Sequence, residues 1–522
     1  MSEKKPRTYE QSKKRKNGIM RMVFAVIAII FEVGLIYFIF FKLNRFENWI
    51  NAGIAIIALI LVLFIYSGSE SSSMKMPWVL LILLLPVFGV ILYVLIGLSG
   101  STHKMKLSFE EVDLDLFPLL PDGKEAMSKL EVKDSRLANI GKYLKSYACY
   151  PAYQNTDIVY YSDAADGLEA QKQDLRLAKD FIFMEYHAIE DAESWQGIEE
   201  ILEERAASGV LVRVFYDDMG SIGFINTDFV KKLEEKGIEC KVFNPFKPIL
   251  NMFLNNRDHR KITVIDGRIG YTGGYNLANE YFHITEPFGE WKDTGIRLEG
   301  DAVKSLTATF LEMWNANNDK KKHDHDYSRY LPSFSYQAKE QAFVIPYADS
   351  PLDHERVGEE VYISMAEYAR HYVWYMTPYL VLTDEMIHTL CLAAKRGVDV
   401  RIITPGIPDK KAVYALTRSY YRKLVLNGVK IFEYTPGFCH AKMCIADDRA
   451  ATCGTINLDY RSLYHHFENG CFFCNSKAVL DMKRDFISSM KRCRNVTERA
   501  KSEPPFLTKV LQVILRLFAP LM

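Results

Sequence analysis

Neither sign of charge is in excess. Lys and Arg number 65 and Asp and Glu 65, so the chain lacks the basic surplus of a nonspecific DNA coat, whose affinity comes from neutralising phosphates. No nucleic-acid partner is expected. A hydrophobic share of 49% and a charged share of 25% exclude a disordered or collagen-like chain. No cysteine precedes Cys149, and the nine present are an odd number that cannot pair completely; such usage suits a reducing compartment better than an exposed one. No run of Asp, Glu and His has metal-ligand spacing. The stretch Lys320-Lys321-Lys322-His323-Asp324-His325-Asp326 sets its polar residues side by side, as solvated loops do. Neither a metal nor a cofactor is expected.

Apolar sequence is concentrated near the start. A length of 522 residues calls for roughly three or four units, and three apolar runs fall in the first hundred. Residues 20–41, 50–66 and 78–97 would reach about 33, 26 and 30 Å as helices, against a bilayer core of about 30 Å. Trp49 and Trp78 stand at run boundaries, where the indole favours the headgroup layer. The first run is too long for a signal peptide and lacks an Ala-x-Ala-like exit. Glu32 lies within it, as a proton or substrate group or as a helix-packing residue. Residues 1–19 carry Lys4, Lys5, Arg7, Lys13, Lys14, Arg15 and Lys16, a basic tail that the positive-inside rule puts in the cytoplasm. A multi-pass protein of the cell membrane is the expectation. Three crossings would carry the rest of the chain outside. If the third run, with its Pro86 and Gly89, were instead a re-entrant hairpin, the rest would stay inside.

Residues 98–150 read as a mixed connector with turn material at Pro118 and Pro121-Asp122-Gly123. Beyond it, strands alternate with helices. Phe181–Tyr186 has a buried-strand pattern, Ile198–Ala207 that of an amphipathic helix ended by Gly209, and Val210–Phe215 that of the next strand. The order returns in Tyr372–Tyr379, Met386–Arg396, Gly397 and Val398–Ile403. An internal duplication follows, with α/β units at 151–335 and 336–500, each around a central sheet. Residues 501–522 alternate Phe506-Leu507, Val510-Leu511 and Val513-Ile514-Leu515 with Lys509, Gln512 and Arg516, the pattern of a helix lying in a membrane interface or of one capping the globular core.

Each unit carries one copy of a motif. His259-Arg260-Lys261, Asp266 and Gly273-Gly274-Tyr275-Asn276 match His440-Ala441-Lys442, Asp447 and Gly454-Thr455-Ile456-Asn457 without a gap, the histidines being 440 − 259 = 181 residues apart. Two such matches in matching units are not coincidence. His and Lys two apart on a strand share a face, so pairing the units makes one site with two of each. That set suits phosphodiester exchange. One imidazole attacks phosphorus to form a phosphohistidine, and the other protonates the leaving alkoxide and later deprotonates the incoming hydroxyl. The lysines, with Asn276 and Asn457, hold the nonbridging oxygens. A neutral histidine nucleophile needs its other nitrogen held, and acidic candidates stand downstream of each, Asp293 after His259 and Glu468 after His440. Asp266 and Asp447 belong to the motif as catalytic candidates or as turn residues. His187, His283, His371, His388, His465 and His466 read as ordinary structural histidines.

The paired His-x-Lys-x4-Asp resembles the signature of the phospholipase D superfamily. Within it the chain is similar to bacterial cardiolipin synthases over nearly its whole length, through Glu280-Tyr281, Trp291-Lys292-Asp293-Thr294, Thr377-Pro378-Tyr379, Asn457-Leu458-Asp459-Tyr460-Arg461-Ser462 and Phe467-Glu468. The family's active-site His, Lys and Asp fall on 259, 261, 266, 440, 442 and 447. Thr455 replaces the usual Ser, and Gly295 stands where such synthases often carry His. The resemblance implies transfer of a phosphatidyl group from one phosphatidylglycerol to another, giving cardiolipin and glycerol, with membrane lipid as the partner. A hydrolytic phospholipase D, a transferase using phosphatidylethanolamine and a noncatalytic membrane scaffold are the alternatives. Oligomeric state is not legible.

Overall fold

Phe181–Tyr186 is apolar except at Glu185 and buried at every position, as a strand covered on both faces must be. A computed structural model describes residues 48–521 apart from 69, 98–99, 246–255, 318–322, 325 and 354, with eight helical positions between 23 and 38. Numbered along the chain, the first-half strands are β1 (Thr156–Tyr161), β2 (Phe181–Tyr186), β3 (Leu211–Asp217), β4 (Glu239–Phe243), β5 (Arg257–Asp258), β6 (Lys261–Ile265), β7 (Ile269–Gly273), β8 (Glu290–Lys292) and β9 (Gly295–Gly300). Seven of them form a sheet in the order β1-β9-β7-β6-β2-β3-β4.

The second half supplies β10 (Phe343–Asp349), β11 (Tyr372–Met376), β12 (Asp399–Pro405), β13 (Lys430–Tyr434), β14 (Gly437–Cys439), β15 (Met443–Ala446), β16 (Ala450–Gly454), β17 (His466–Cys474) and β18 (Cys493–Asn495). Their order is β10-β17-β16-β15-β11-β12-β13, with β18 added at the edge. Strand for strand this repeats the first sheet. In both, the run β2-β3-β4 or β11-β12-β13 is parallel and the remainder antiparallel. Parallel neighbours require crossover helices, which Glu193–Ala207 and Asp384–Lys395 provide.

The two sheets face one another across a shared core containing Phe183 and Val264 from one and Trp374, Ile445 and Phe473 from the other. The helix Val303–Ala316 runs through that core, buried except at Lys304. Outer cores lie behind each sheet. The duplicated α/β architecture expected from the sequence is thus present, and the sheets are joined into a single body.

Two corrections come from outside the sheets. The presumed connector is largely helical: Gly100–Leu116 lies against the central helix, with Ser108 donating to the Ala316 carbonyl at 2.7 Å, while Leu130, Leu137 and Leu144 of two further helices enter the outer core of the second sheet. Asp324, expected in a solvated loop, makes a two-pronged pair with the guanidinium of Arg213 at 2.8 and 2.9 Å. Cys471 and Cys474 have a Cys-x-x-Cys spacing but sit three apart on β17, so they face opposite sides and enter different cores.

Among the described residues, no helix is both long and apolar enough to cross a membrane. The third run does not form the single span expected over 78–97. It folds as two helices, Ser72–Leu84 and Pro86–Gly97, because Pro86 cannot continue the ladder. They pack as a hairpin. A Cβ on Gly89 would stand 2.7 Å from the Cα of Ile82, and the rings of Trp78 and Tyr93 meet edge to face at 5.2 Å. Helix Asn48–Ser67 lies beside this hairpin and leaves Ile56, Ile60, Phe64 and Tyr66 exposed. The basic tail 1–19, most of the first run with Glu32, and Lys320 to Lys322 lie outside the described residues.

Candidate active site

Each motif histidine stands just before an inner strand, His259 ahead of β6 and His440 ahead of β15. The chain leading into each pairs with the other half. β5 runs parallel to the start of β17, and His259 donates its backbone N–H to the Phe467 carbonyl at 2.8 Å. The residue after Phe467 is Glu468, and both of its carboxylate oxygens lie 2.9 Å from His259 Nδ1. The same device operates in reverse. β14 runs parallel to β8, His440 N–H donates to the Lys292 carbonyl at 2.7 Å, and Asp293 Oδ2 lies 2.6 Å from His440 Nδ1. The expected pairing of each histidine with the acid downstream in its own half is therefore corrected. The acids are exchanged between halves.

A carboxylate on Nδ1 holds the proton there and leaves Nε2 with a lone pair. Supporting contacts fix the acids. Thr455 Oγ1 donates to Glu468, so the Thr at this position still supplies the hydroxyl that Ser would. Thr294 N–H donates to Asp293 Oδ1 at 2.8 Å. A Cβ on Gly274 would collide with Asp293 Oδ1, so this half takes glycine where the other carries Thr455. A Cβ on Gly295 would lie 2.5 Å from the Tyr275 ring, so a larger residue there would require that ring to shift.

Lys261 Nζ donates to the His259 carbonyl at 2.6 Å, and Lys442 Nζ to that of His440, lying also 2.7 Å from His440 Nδ1. Burial lowers the Lys261 ammonium to about 7, with the Glu468 carboxylate opposing, and the Lys442 ammonium to about 8, with Asp293 opposing. Both imidazoles are held well below the usual histidine range, first by burial and then by the lysine charges. Burial pushes the Asp293 carboxyl up to about 6 against the pull of Lys442. Both lysines, one from each half, act on both imidazoles, as in one shared site.

The remaining motif residues divide. Asn276 takes the Ala188 N–H at 3.2 Å and donates to Tyr281 Oη at 2.7 Å; Asn457 is buried with its Oδ1 unpartnered. Asp266 and Asp447 stand away from the imidazoles, about 16 Å along the chain from Lys261 and Lys442. Asp266 accepts from the backbone N–H groups of Lys179, Asp180 and Phe181 at 2.9, 2.8 and 2.9 Å, and Asp447 from those of Arg370, His371 and Tyr372 at 2.7, 2.9 and 2.8 Å. Both have φ of +52°. The geometry makes them turn residues, which corrects their inclusion among catalytic candidates.

Two residues set aside in the sequence belong here. The rings of His187 and His466 centre 4.9 and 5.5 Å from that of His259. His440 instead sits among Tyr281, Trp291 and Phe438, at 5.3, 5.4 and 5.8 Å. Among the described residues, one trio has ligand atoms mutually close enough for a metal ion, namely His259, His466 and Glu468. Its members come from both halves, so sequence spacing could not reveal it. Behind His259, the buried Arg260 reaches Glu312 at 3.2 Å and Glu185 at 3.9 Å.

Two interlocked α/β sheets bearing paired histidines and lysines define a phospholipase D-like protein. The family model described as cardiolipin synthase, PLD-like domain, matches residues 172–314 and 362–490, and that of the phospholipase D-nuclease N-terminal region matches 53–97. A Streptococcus mutans protein is 41% identical over 88% of this chain and 99% of its own. A cardiolipin synthase of Halalkalibacterium halodurans is 30% identical over 91% of this chain and 95% of its own. The crystal structure of Haemophilus influenzae phosphatidylserine synthase superposes with a TM-score of 0.54 at 16% identity, covering 73% of this chain and 97% of that one, a likeness of fold. The chain belongs to the family of cardiolipin synthases with phospholipase D-like domains.

Proposed function

We propose that the protein transfers a phosphatidyl group from one phosphatidylglycerol to another through a covalent phosphohistidine, yielding cardiolipin and glycerol. The observation that carries this reading is the pair of imidazoles, each anchored at Nδ1 by the other half's carboxylate beside a buried lysine. Nε2 of one attacks phosphorus, and the P–O bond to glycerol breaks. The alkoxide takes its proton from the other imidazole, which must first gain one when the anionic phosphodiester enters and offsets the lysine charges. The hydroxyl of the second lipid then returns a proton to that imidazole as its oxygen displaces the histidine. Lys261 and Lys442 neutralise the nonbridging oxygens, aided by the amide of Asn457. Burial of the site disfavours water as a competing acceptor.

Both lipids reside in a bilayer, and two elements support attachment there. Helix Asn48–Ser67 exposes a broad apolar face. Helix Phe506–Leu517 is docked by Arg516 on Ser419 and over the Tyr420 ring at 4.5 Å, near the N-terminal hairpin, and it exposes Phe506, Leu507 and Val513. A helix with this division lies in the interface. The test is purified protein in vesicles with phosphatidylglycerol as the sole phospholipid. Cardiolipin and glycerol in equal amounts are expected. Phosphatidic acid without cardiolipin would mean a hydrolase and overturn the reading.

A further inference from the structure

We propose that His259, His466 and Glu468 form a binding site for one divalent transition-metal ion of the zinc class, and that its occupancy silences His259. One nitrogen from each imidazole and a carboxylate oxygen lie within 4.8 Å of one another. Glu468 Oε1 is 2.9 Å from His259 Nδ1 and 3.7 Å from His466 Nδ1. Two ligands of a tetrahedral zinc ion stand about 3.3 Å apart, so small side-chain shifts complete the site. Two imidazoles and a glutamate are a recurrent zinc set, with a fourth position left open.

His466 supplies the independent observation. Its side chain is 10% exposed, and neither of its ring nitrogens has a hydrogen-bond partner within 3.5 Å, the Glu468 carboxylate standing 3.7 Å from Nδ1. Its imidazole instead faces Glu468, the carboxylate that His259 already shares, a placement that suits joint ligation of one ion. The scaffold is rigid, since the pairing of β5 with β17 fixes His259 against Phe467 and Glu468. Thr455 holds the second carboxylate oxygen, as outer partners of metal ligands do. Among the described residues His440 belongs to no such set, and its ring is flanked by Tyr281, Trp291 and Phe438.

Coordination through Nδ1 has a chemical consequence. The neutral ring keeps one proton, which moves to Nε2 as the Nδ1–metal bond forms. Nε2 then has no lone pair, whether to attack phosphorus or to accept a proton from the second lipid. Metal binding stands independently of the proposed transfer reaction; inhibition rests on it.

The experiment titrates chelator-stripped, full-length protein in detergent with Co2+ and follows the visible d–d absorption. One equivalent bound per chain is expected, displaced by Zn2+. His466→Ala and His466→Gln should each weaken binding about tenfold or more, and His440→Ala should leave it intact. Zn2+ should inhibit phosphatidyl transfer by the parent protein, with about tenfold more needed for the His466 variants. Absence of cobalt absorption in the parent, or its persistence in both His466 variants at parent affinity, would overturn the site. Cobalt binding by protein that makes no cardiolipin when metal-free would instead count against the transfer reaction alone.

Discussion

His259 is held by Glu468, a residue 209 positions away in the other half of the molecule, with both carboxylate oxygens at 2.9 Å. Asp293, closer in sequence, holds His440. Glu468→Gln should therefore alter the tautomer of His259 and leave that of His440 unchanged, and Asp293→Asn should do the reverse. Imidazole 15N shifts read this directly. Loss of the orienting carboxylate from a catalytic histidine costs about 10⁴-fold in kcat in the serine-protease triad, and a fall of about 10³-fold or more is expected for each variant.

Asp266 and Asp447 each receive three backbone N–H groups at the start of an inner strand. Asp266→Ala leaves those donors to water and should cost about 1–3 kcal/mol of stability. The folded fraction should retain kcat within a few-fold. Thermal unfolding together with activity per folded molecule separates the effects, and loss of kcat at unchanged stability would contradict the turn assignment.

Burial lowers the Lys261 ammonium to about 7 and that of Lys442 to about 8, from an ordinary value of about 10.4. A lowered lysine loses its charge earlier as pH rises. In the free enzyme kcat/KM should accordingly fall across pH 7 to 8, where the cations proposed to neutralise the phosphoryl oxygens lose their charge. Lys261→Arg keeps its charge throughout, so the first descent should move upward in its profile even if the absolute rate drops.

Arg260 lies fully buried between Glu312, Glu185 and the Glu468 carbonyl. Arg260→Met removes the cation and leaves the carboxyl groups without it, so a loss of about 3–5 kcal/mol is expected from denaturant melts. Combining it with Glu312→Gln should restore part of that loss, because one of the abandoned acids is then neutral.

Much of this molecule was legible from residue order. The strand at Phe181–Tyr186, the duplication and the four His and Lys positions follow from local patterning and a repeated spacing, and local patterns survive folding. What escaped was set by contact between halves. Nothing near His259 in the chain signals that β5 will pair with β17, so the exchange of Glu468 for Asp293 was hidden, and so was the gathering of His187 and His466 around His259. The third apolar run misled because composition measures length in residues, whereas Pro86 turned that length back on itself.

The parallel pairing of β5 with β17 and of β14 with β8 means that neither lobe contains a complete catalytic unit. An isolated lobe would carry a histidine with nothing to steer it and an acid with nothing to steer. Such reciprocity couples the two lobes: removing the acid of one disarms the histidine of its neighbour.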